Sequence, residues 1–140
     1  MSWLLDTPVV SELVRATPTA SVIDWLKAQD EDDLFLSVLT LGELEKGIAK
    51  LSDSRRKTTL RKWVRTNLMS RFEGRLLVVD RNVASRWGML TGTAERKGRP
   101  LPVIDSLIAA TAVAHDLTVV SRNAMDFERC GVPCLNPWSE

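Results

Sequence analysis

The feature that most constrains this chain is a set of short runs with almost no polar alternation. Leu34-Phe35-Leu36-Ser37-Val38 is apolar nearly throughout, and so are Leu76-Leu77-Val78-Val79 and Leu117-Thr118-Val119-Val120-Ser121. A strand with one face in water alternates polar and apolar side chains, whereas a strand covered on both faces reads as a continuous apolar run. Trp3-Leu4-Leu5 adds a similar run near the start, and residues 132–135 suit a short edge strand. Helical patterns separate these runs. Strand and helix in alternation over the whole length predict an α/β fold, with a mainly parallel sheet between two helical layers. At 140 residues the chain suits a single domain spanning 1–140.

The helices carry their own punctuation. Thr7-Pro8 reads as an N-cap followed by proline at the first helical position, opening a helix over residues 7–13. A second helix is predicted over 19–29. Thr40 with Glu43 three residues later has the form of a capping box, opening a helix through residue 51. Residues 55–73 and 81–97 follow as helices, the latter ended by Gly98-Arg99-Pro100. Residues 103–114 carry no charge after Asp105 until His115, so little of that helix can face solvent. Its small alanines suit a central helix packed closely on the sheet.

Net charge is only +1, but the total conceals a division. Residues 1–45 hold nine acids and two bases, and residues 46–75 hold ten bases and two acids. A basic block of this kind suits a polyanion such as nucleic acid. Lys46 and Lys50 share one helix face, which Arg55, Arg56, Lys57, Arg61, Lys62 and Arg65 could extend. No apolar run reaches the length of a membrane-spanning helix, and residues 1–6 lack the basic stretch of a signal peptide. With two cysteines and one histidine, a disulfide framework or a Cys/His zinc centre is not expected. A cytoplasmic protein without membrane association is the expectation.

Ligands of open α/β sheets bind beyond the carboxyl ends of the strands, and acids recur there. Asp6 follows the first strand, Glu43 lies soon after the second, Asp105 begins the uncharged helix, and Asn123 and Asp126 follow the fourth strand. Converging carboxylates repel unless a cation neutralises them, and hard oxygen donors suit Mg²⁺ or Mn²⁺. Such an ion can activate water against a phosphodiester. Thr7 and Ser106, beside two of the acids, could contribute hydroxyls to the site or serve only as caps. Each acid also has a structural alternative: turn or strand end for Asp6, capping for Glu43, Asp105 and Asp126. Glu12 is expected in solvent, Asp80 as an N-cap and His115 at a helix C-terminus. A phospho-accepting regulator using Asp6 or Asp80 is a competing class, and the acids do not themselves distinguish RNA from DNA.

Ordered motifs along the chain resemble the PIN-domain family, and within it the VapC-type toxins of bacterial toxin–antitoxin pairs. They are Leu4-Leu5-Asp6-Thr7 with Ser11-Glu12-Leu13, and Ser37-Val38-Leu39-Thr40-Leu41-Gly42-Glu43-Leu44 with Gly47-Ile48. Leu101-Pro102-Val103-Ile104-Asp105-Ser106 and Val120-Ser121-Arg122-Asn123 before Asp126-Phe127 continue the set. The resemblance implies a compact α/β/α fold and a Mg²⁺- or Mn²⁺-dependent endoribonuclease acting on tRNA or ribosomal RNA. It further implies a homodimer held in check by a VapB-like antitoxin. Asp6, Glu43 and Asp105 match the family's core acids, with Asp126 as a fourth acid and Asn123 as a neutral ligand or orienting group. Two positions depart from the pattern. Many relatives have Asp where this chain has Asn123, and Pro8 replaces a common Asn. These departures give a second expectation, an impaired PIN domain that only binds RNA or antitoxin.

Overall fold

The computed structural model describes residues 1–139. Five strands form one sheet: β1 (Trp3–Leu5), β2 (Leu34–Ser37), β3 (Leu76–Leu77), β4 (Thr118–Val120) and β5 (Cys134–Leu135). Their spatial order is β3-β2-β1-β4-β5, and every neighbouring pair is parallel. Parallel neighbours need crossovers, and helices supply them. Between β1 and β2 lie α1 (Thr7–Ser11) and α2 (Ala20–Ala28); α3 (Val38–Ala49), α4 (Arg55–Lys62) and α5 (Met69–Arg71) lead to β3. Then α6 (Arg81–Arg96) and α7 (Val103–Ala114) lead to β4, and α8 (Ala124–Arg129) lies between β4 and β5. The α/β reading and the central parallel sheet agree with the sequence.

The sheet divides two cores. On one side Leu5, Leu36 and Val120 pack with Val9, Val10, Val22, Val64, Leu68 and Phe72. On the other, Leu4 and Val119 meet Ile108, Ala109, Ala112, Phe127 and Val132. Leu4 and Leu5 point to opposite faces and neither is accessible to solvent, which accounts for the missing polar alternation. Burying each stabilises the fold by about 1.5–3 kcal/mol. Ser106, Ile108, Ala109, Ala110, Thr111 and Ala112 are all buried in α7, as expected of an uncharged helix. A larger side chain at Ala109 would cost about 1–3 kcal/mol by overpacking.

Several boundaries differ from the sequence reading. The third strand ends at Leu77, and Val78 and Val79 are exposed. Residues 55–73 are interrupted by a π-helical turn, Trp63–Leu68, between α4 and α5. Helix α3 begins directly from β2 with Ser37 as its N-cap, the hydroxyl accepting from the Leu39 amide at 3.0 Å. The capping box at Thr40 and Glu43 therefore does not form. Thr40 is already inside the helix, buried, with no partner for its hydroxyl. Asp80 does cap α6, accepting from the Val83 amide at 2.9 Å, and His115 closes α7.

The opposed charge blocks meet within the fold. Glu31 receives Arg71 through both carboxylate oxygens and also pairs with Arg75. Arg75 in turn donates to the Leu34 carbonyl at 2.6 Å, fastening the start of β2 to the approach to β3. Arg65 pairs with Glu45, while Lys57 donates to the Leu51 carbonyl and pairs with Asp53. Lys57 and Arg65 thus have intramolecular partners rather than belonging to an open basic face. Among the described residues no helix is long and apolar enough to cross a membrane.

Candidate active site

Strand order reverses at β1, which has β2 on one side and β4 on the other; this is the switch point where open α/β sheets form their crevice. Asp6 leaves β1 at that point. Its amide still donates to the Val120 carbonyl at 2.9 Å, and its own carbonyl accepts from the Val9 amide at 3.1 Å. Backbone bonds on both sides fix the residue, and its side chain is only 3% exposed. Oδ2 accepts the Ser121 hydroxyl at 2.7 Å, and Ser121 Oγ accepts the Asn123 amide at 2.9 Å. Burial raises the Asp6 carboxyl to about 6, with Asp105 and Glu43 adding to the rise and the Ser121 hydroxyl and Thr7 amide opposing it.

Glu43 projects from α3 toward α1, where Oε1 accepts the Thr7 hydroxyl at 2.5 Å. Because Ser37 caps the helix, the Glu43 carboxylate is not drawn back to its own N-terminus. Thr7 is the first residue of α1 rather than its cap; Asp6 holds the cap position without a side-chain cap bond. Pro8 sits in the first turn, where the missing amide would have had no helical partner. The bonds from Val9 and Val10 to the Asp6 carbonyl are present, so the proline leaves the backbone around the acid regular.

Asp105 lies in the first turn of α7, after the cap position taken by Pro102. Its carboxyl is raised by partial burial, then by Asp126 and Glu43. Asp126 lies in the first turn of α8, which Asn123 begins, and approaches Arg129 at 3.9 Å. The Asn123 carbonyl accepts from the Asp126 amide at 3.1 Å, leaving its exposed side chain uncommitted to the cap. Asp6, Glu43, Asp105 and Asp126 thus form one field of mutually repelling charge drawn from four elements. Ser106 does not join it. Its fully buried hydroxyl donates to the Val103 carbonyl at 2.9 Å and accepts from the Trp87 indole at 3.0 Å. That replaces the sequence expectation of a site hydroxyl with an anchor between α6 and α7.

The donor chemistry fits a hard divalent cation: carboxylate oxygens, a neutral amide and no imidazole or thiolate. As the side chains stand, no three acids, histidines or cysteines among the described residues close around a point. An open arrangement suits Mg²⁺, which keeps several waters and takes few protein ligands. Beside Thr7 and Glu43 lies a cleft of about 400 Å³, with Leu44, Ile48 and Trp63 in its lining and Arg15 and Arg56 at its polar margin.

Two residues escaped sequence reasoning. Ser121 is the donor that holds Asp6, and the available signal was a hydroxyl ending the strand beside β1. Glu12, expected in solvent, is 1% exposed. It accepts the Thr19 amide at 3.0 Å, the Thr19 hydroxyl at 2.7 Å and Arg15 at 3.0 Å. A buried carboxylate persists when donors replace its water, and these three fasten the link between α1 and α2.

A PIN domain model matches residues 3–132. Toxin FitB of Neisseria gonorrhoeae is 35% identical over 137 residues, covering 98% of this chain and 99% of that protein. VapC ribonuclease Y4jK of Sinorhizobium fredii is 35% identical over 135 residues, covering 96% of each. The crystal structure of FitAcB from Neisseria gonorrhoeae superposes with a TM-score of 0.92 at 35% identity, covering 99% of both chains. The switch-point acids, the strand order and these similarities agree: the chain belongs to the PIN domain family, among its VapC-type toxins.

Proposed function

We propose that this chain is a metal-dependent endoribonuclease toxin of a type II toxin–antitoxin system, hydrolysing phosphodiester bonds in tRNA or ribosomal RNA. The observation that carries the reading is the buried Asp6 carboxyl, raised to about 6 beside Glu43 and Asp105 at the switch point. A buried acid with acidic neighbours is a poor stabilising feature and a suitable cation ligand. Relatives named as a toxin and as a ribonuclease support the substrate class.

Asp6, Glu43 and Asp105 would hold Mg²⁺ or Mn²⁺ directly or through water, with Asp126 and the Asn123 amide adjusting its surroundings. When bound, the ion neutralises charge at the scissile phosphate and lowers the pKa of attacking water. Ser121 keeps the Asp6 carboxylate oriented, and Thr7 does the same for Glu43. Lys46, Lys50, Arg55, Arg61 and Lys62, which make no ion pair among the described residues, would draw the RNA backbone toward the acids. Water as the nucleophile forms no cyclic phosphate, and departure of the 3′-oxygen as leaving group gives 5′-phosphate and 3′-hydroxyl products.

A VapB-like antitoxin is the proposed inhibitor, placing a basic side chain among the acids and an apolar segment in the cleft beside Glu43. The exposed side chains Val78, Val79, Val103 and Ile104 suit a homodimer contact, and the cytoplasm is the proposed location. The impaired, binding-only reading gains no structural support at Pro8, because the Asp6 backbone is regular there.

The test is digestion of defined tRNA, rRNA and DNA with the purified chain, with and without Mg²⁺ or Mn²⁺, followed by end-group analysis. Metal-dependent RNA cuts with 5′-phosphates are expected. Cyclic phosphate ends, or equal cleavage in chelator, would reject the mechanism; preferential DNA cleavage would reject the substrate.

A further inference from the structure

A second cleft, of about 500 Å³, lies between the C-terminal half of α6, the segment leading to Leu101 and the end of α8. Its size is that of a small-ligand pocket. Met89, Leu90 and Leu101 line it with apolar surface, while Lys97, Arg99 and Arg129 bring three cations to it. Lys97 and Arg99 make no ion pair among the described residues.

These two cations do not sit on a loose tail. Helix α6 ends in a Schellman turn: the Gly98 amide donates to the Glu95 carbonyl at 2.9 Å, and the Arg99 amide to the Ala94 carbonyl at 2.9 Å. Gly98 adopts φ +72°, the left-handed conformation this turn needs. The residues on either side of it are therefore held at the cleft.

The cleft is connected to the acids by Arg129, a lining residue whose Nη1 stands 3.9 Å from Asp126 Oδ1. Cys130, in the same lining, has its thiol pushed up first by burial and then by the fields of Asp105 and Asp126. The pocket and the candidate catalytic carboxylates are thus close neighbours. A linear polyanion with one phosphate at the acids must pass its adjoining unit over some nearby surface. An apolar floor with unpaired cations is complementary to that unit: splayed RNA bases stack on aromatic or guanidinium surfaces, extruded bases are also held between apolar side chains, and cations hold the phosphates.

We propose that this cleft receives the RNA nucleotide adjoining the scissile phosphate, its base on Met89, Leu90 and Leu101 and its phosphate held by Lys97 and Arg99. Arg129 spans the base pocket and Asp126, positioning the strand relative to the acids. The inference rests on the RNA-cleavage reading above and assigns to it a site of base selection.

The experiment compares the full chain with a Lys97→Ala/Arg99→Ala double variant, Leu101→Trp, which fills the cleft, and Arg61→Ala/Lys62→Ala on α4. Circular dichroism and thermal melts first establish that each variant is folded. Binding of short single-stranded RNA is measured in chelator, so the readout does not need turnover, and RNA containing 4-thiouridine is crosslinked and the labelled peptides mapped. Cut sites in a randomised RNA pool are mapped in metal.

The Lys97/Arg99 variant should bind roughly tenfold more weakly, and crosslinks should fall on residues 89–101 or 129–131. Leu101→Trp should alter base preference at one position beside the cut, whereas the α4 variant should weaken binding without altering preference. Cleavage by the wild type with crosslinks elsewhere, or binding and preference unchanged in the cleft variants, overturns the pocket and leaves the nuclease reading. RNA bound and crosslinked here but never cut, with any metal, overturns the nuclease reading and with it the assignment to a scissile phosphate, leaving the cleft as an RNA-binding surface only. No RNA binding in chelator together with no cleavage in metal overturns both. An acidic peptide that occupies the cleft where RNA does not, or self-association lost in Met89→Asp with RNA binding intact, reassigns the surface and overturns the proposal.

Discussion

Asp6 and Glu12 lie six residues apart, and both are almost wholly buried, yet their environments differ in kind. Burial is the largest influence on each and pushes both carboxyls up. At Glu12 the Thr19 amide, the Thr19 hydroxyl and Arg15 together outweigh it, and the carboxyl ends below its ordinary range. At Asp6 the Ser121 hydroxyl and the Thr7 amide oppose burial, Asp105 and Glu43 reinforce it, and the carboxyl rises to about 6. Glu12 is a satisfied structural anion. Asp6 is held in place with charge left uncompensated, the condition expected where an exogenous cation completes the site.

The contrast can be broken most forcefully at Asp6. Asp6→Asn should reduce metal-dependent RNA cleavage by roughly 10³-fold or more, read from initial rates in Mg²⁺. In chelator near neutral pH the same variant should be more stable than the wild type, by about 2–3 kcal/mol, measured by denaturant unfolding. Lower stability of the Asp6→Asn variant would show that Asp6 is structural after all. Glu12→Ala should act in the opposite sense, costing about 1–3 kcal/mol of stability by leaving the Thr19 amide and hydroxyl without their acceptor. Its cleavage rate per folded molecule should remain close to wild type.

The pH dependence of stability sharpens the difference. A free Asp titrates near 3.8, whereas folded Asp6 titrates at about 6. Between these values the folded state retains a proton that the unfolded chain releases. The stability contributed by Asp6 is therefore full below about pH 3.8 and is lost as pH rises toward and through 6. Glu12, held low, contributes stability above its ordinary pKa that is lost on acidification. Subtracting the Asp6→Asn stability profile from that of the wild type should expose the first window, and a flat difference would contradict it.

Smaller effects are expected from the hydroxyls that position the acids. Thr7→Val should lower cleavage roughly tenfold by freeing Glu43, with little change in melting temperature. Ser121→Ala should cost about 1–2 kcal/mol. Losing that donor pushes the Asp6 carboxyl higher still, so the acid limb of the cleavage profile should move to higher pH; an unmoved limb would show that Ser121 does not govern Asp6.

Much of this was legible from local pattern. Leu4 and Leu5 read as a two-sided strand because both faces of the sheet are covered, and the uncharged stretch after Asp105 reads as a buried helix because its neighbours leave no room for hydrated charge. Asp6, Glu43, Asp105 and Asp126 are legible as a group through their places after strands or at helix starts. The capping box at Thr40 fails because strand β2 passes into α3 without a loop, moving the cap back to Ser37. Ser106 looks like a site hydroxyl because it adjoins Asp105, but successive helical residues point in different directions, and it meets Trp87 instead.

The sequence by itself determined the alternation of elements, the apolar faces and the stations of the acids, because these follow from backbone periodicity and from side chains near in the chain. Only the tertiary structure decided that Ser121 holds Asp6 across 115 residues, that Thr7 reaches Glu43, and that Glu12 is buried among donors while Asp6 is buried among acids. Two carboxylates in similar local sequence acquire opposite electrostatic fates because a carboxyl's pKa is set by the charges and donors that folding brings around it, and those come from segments the local sequence does not contain.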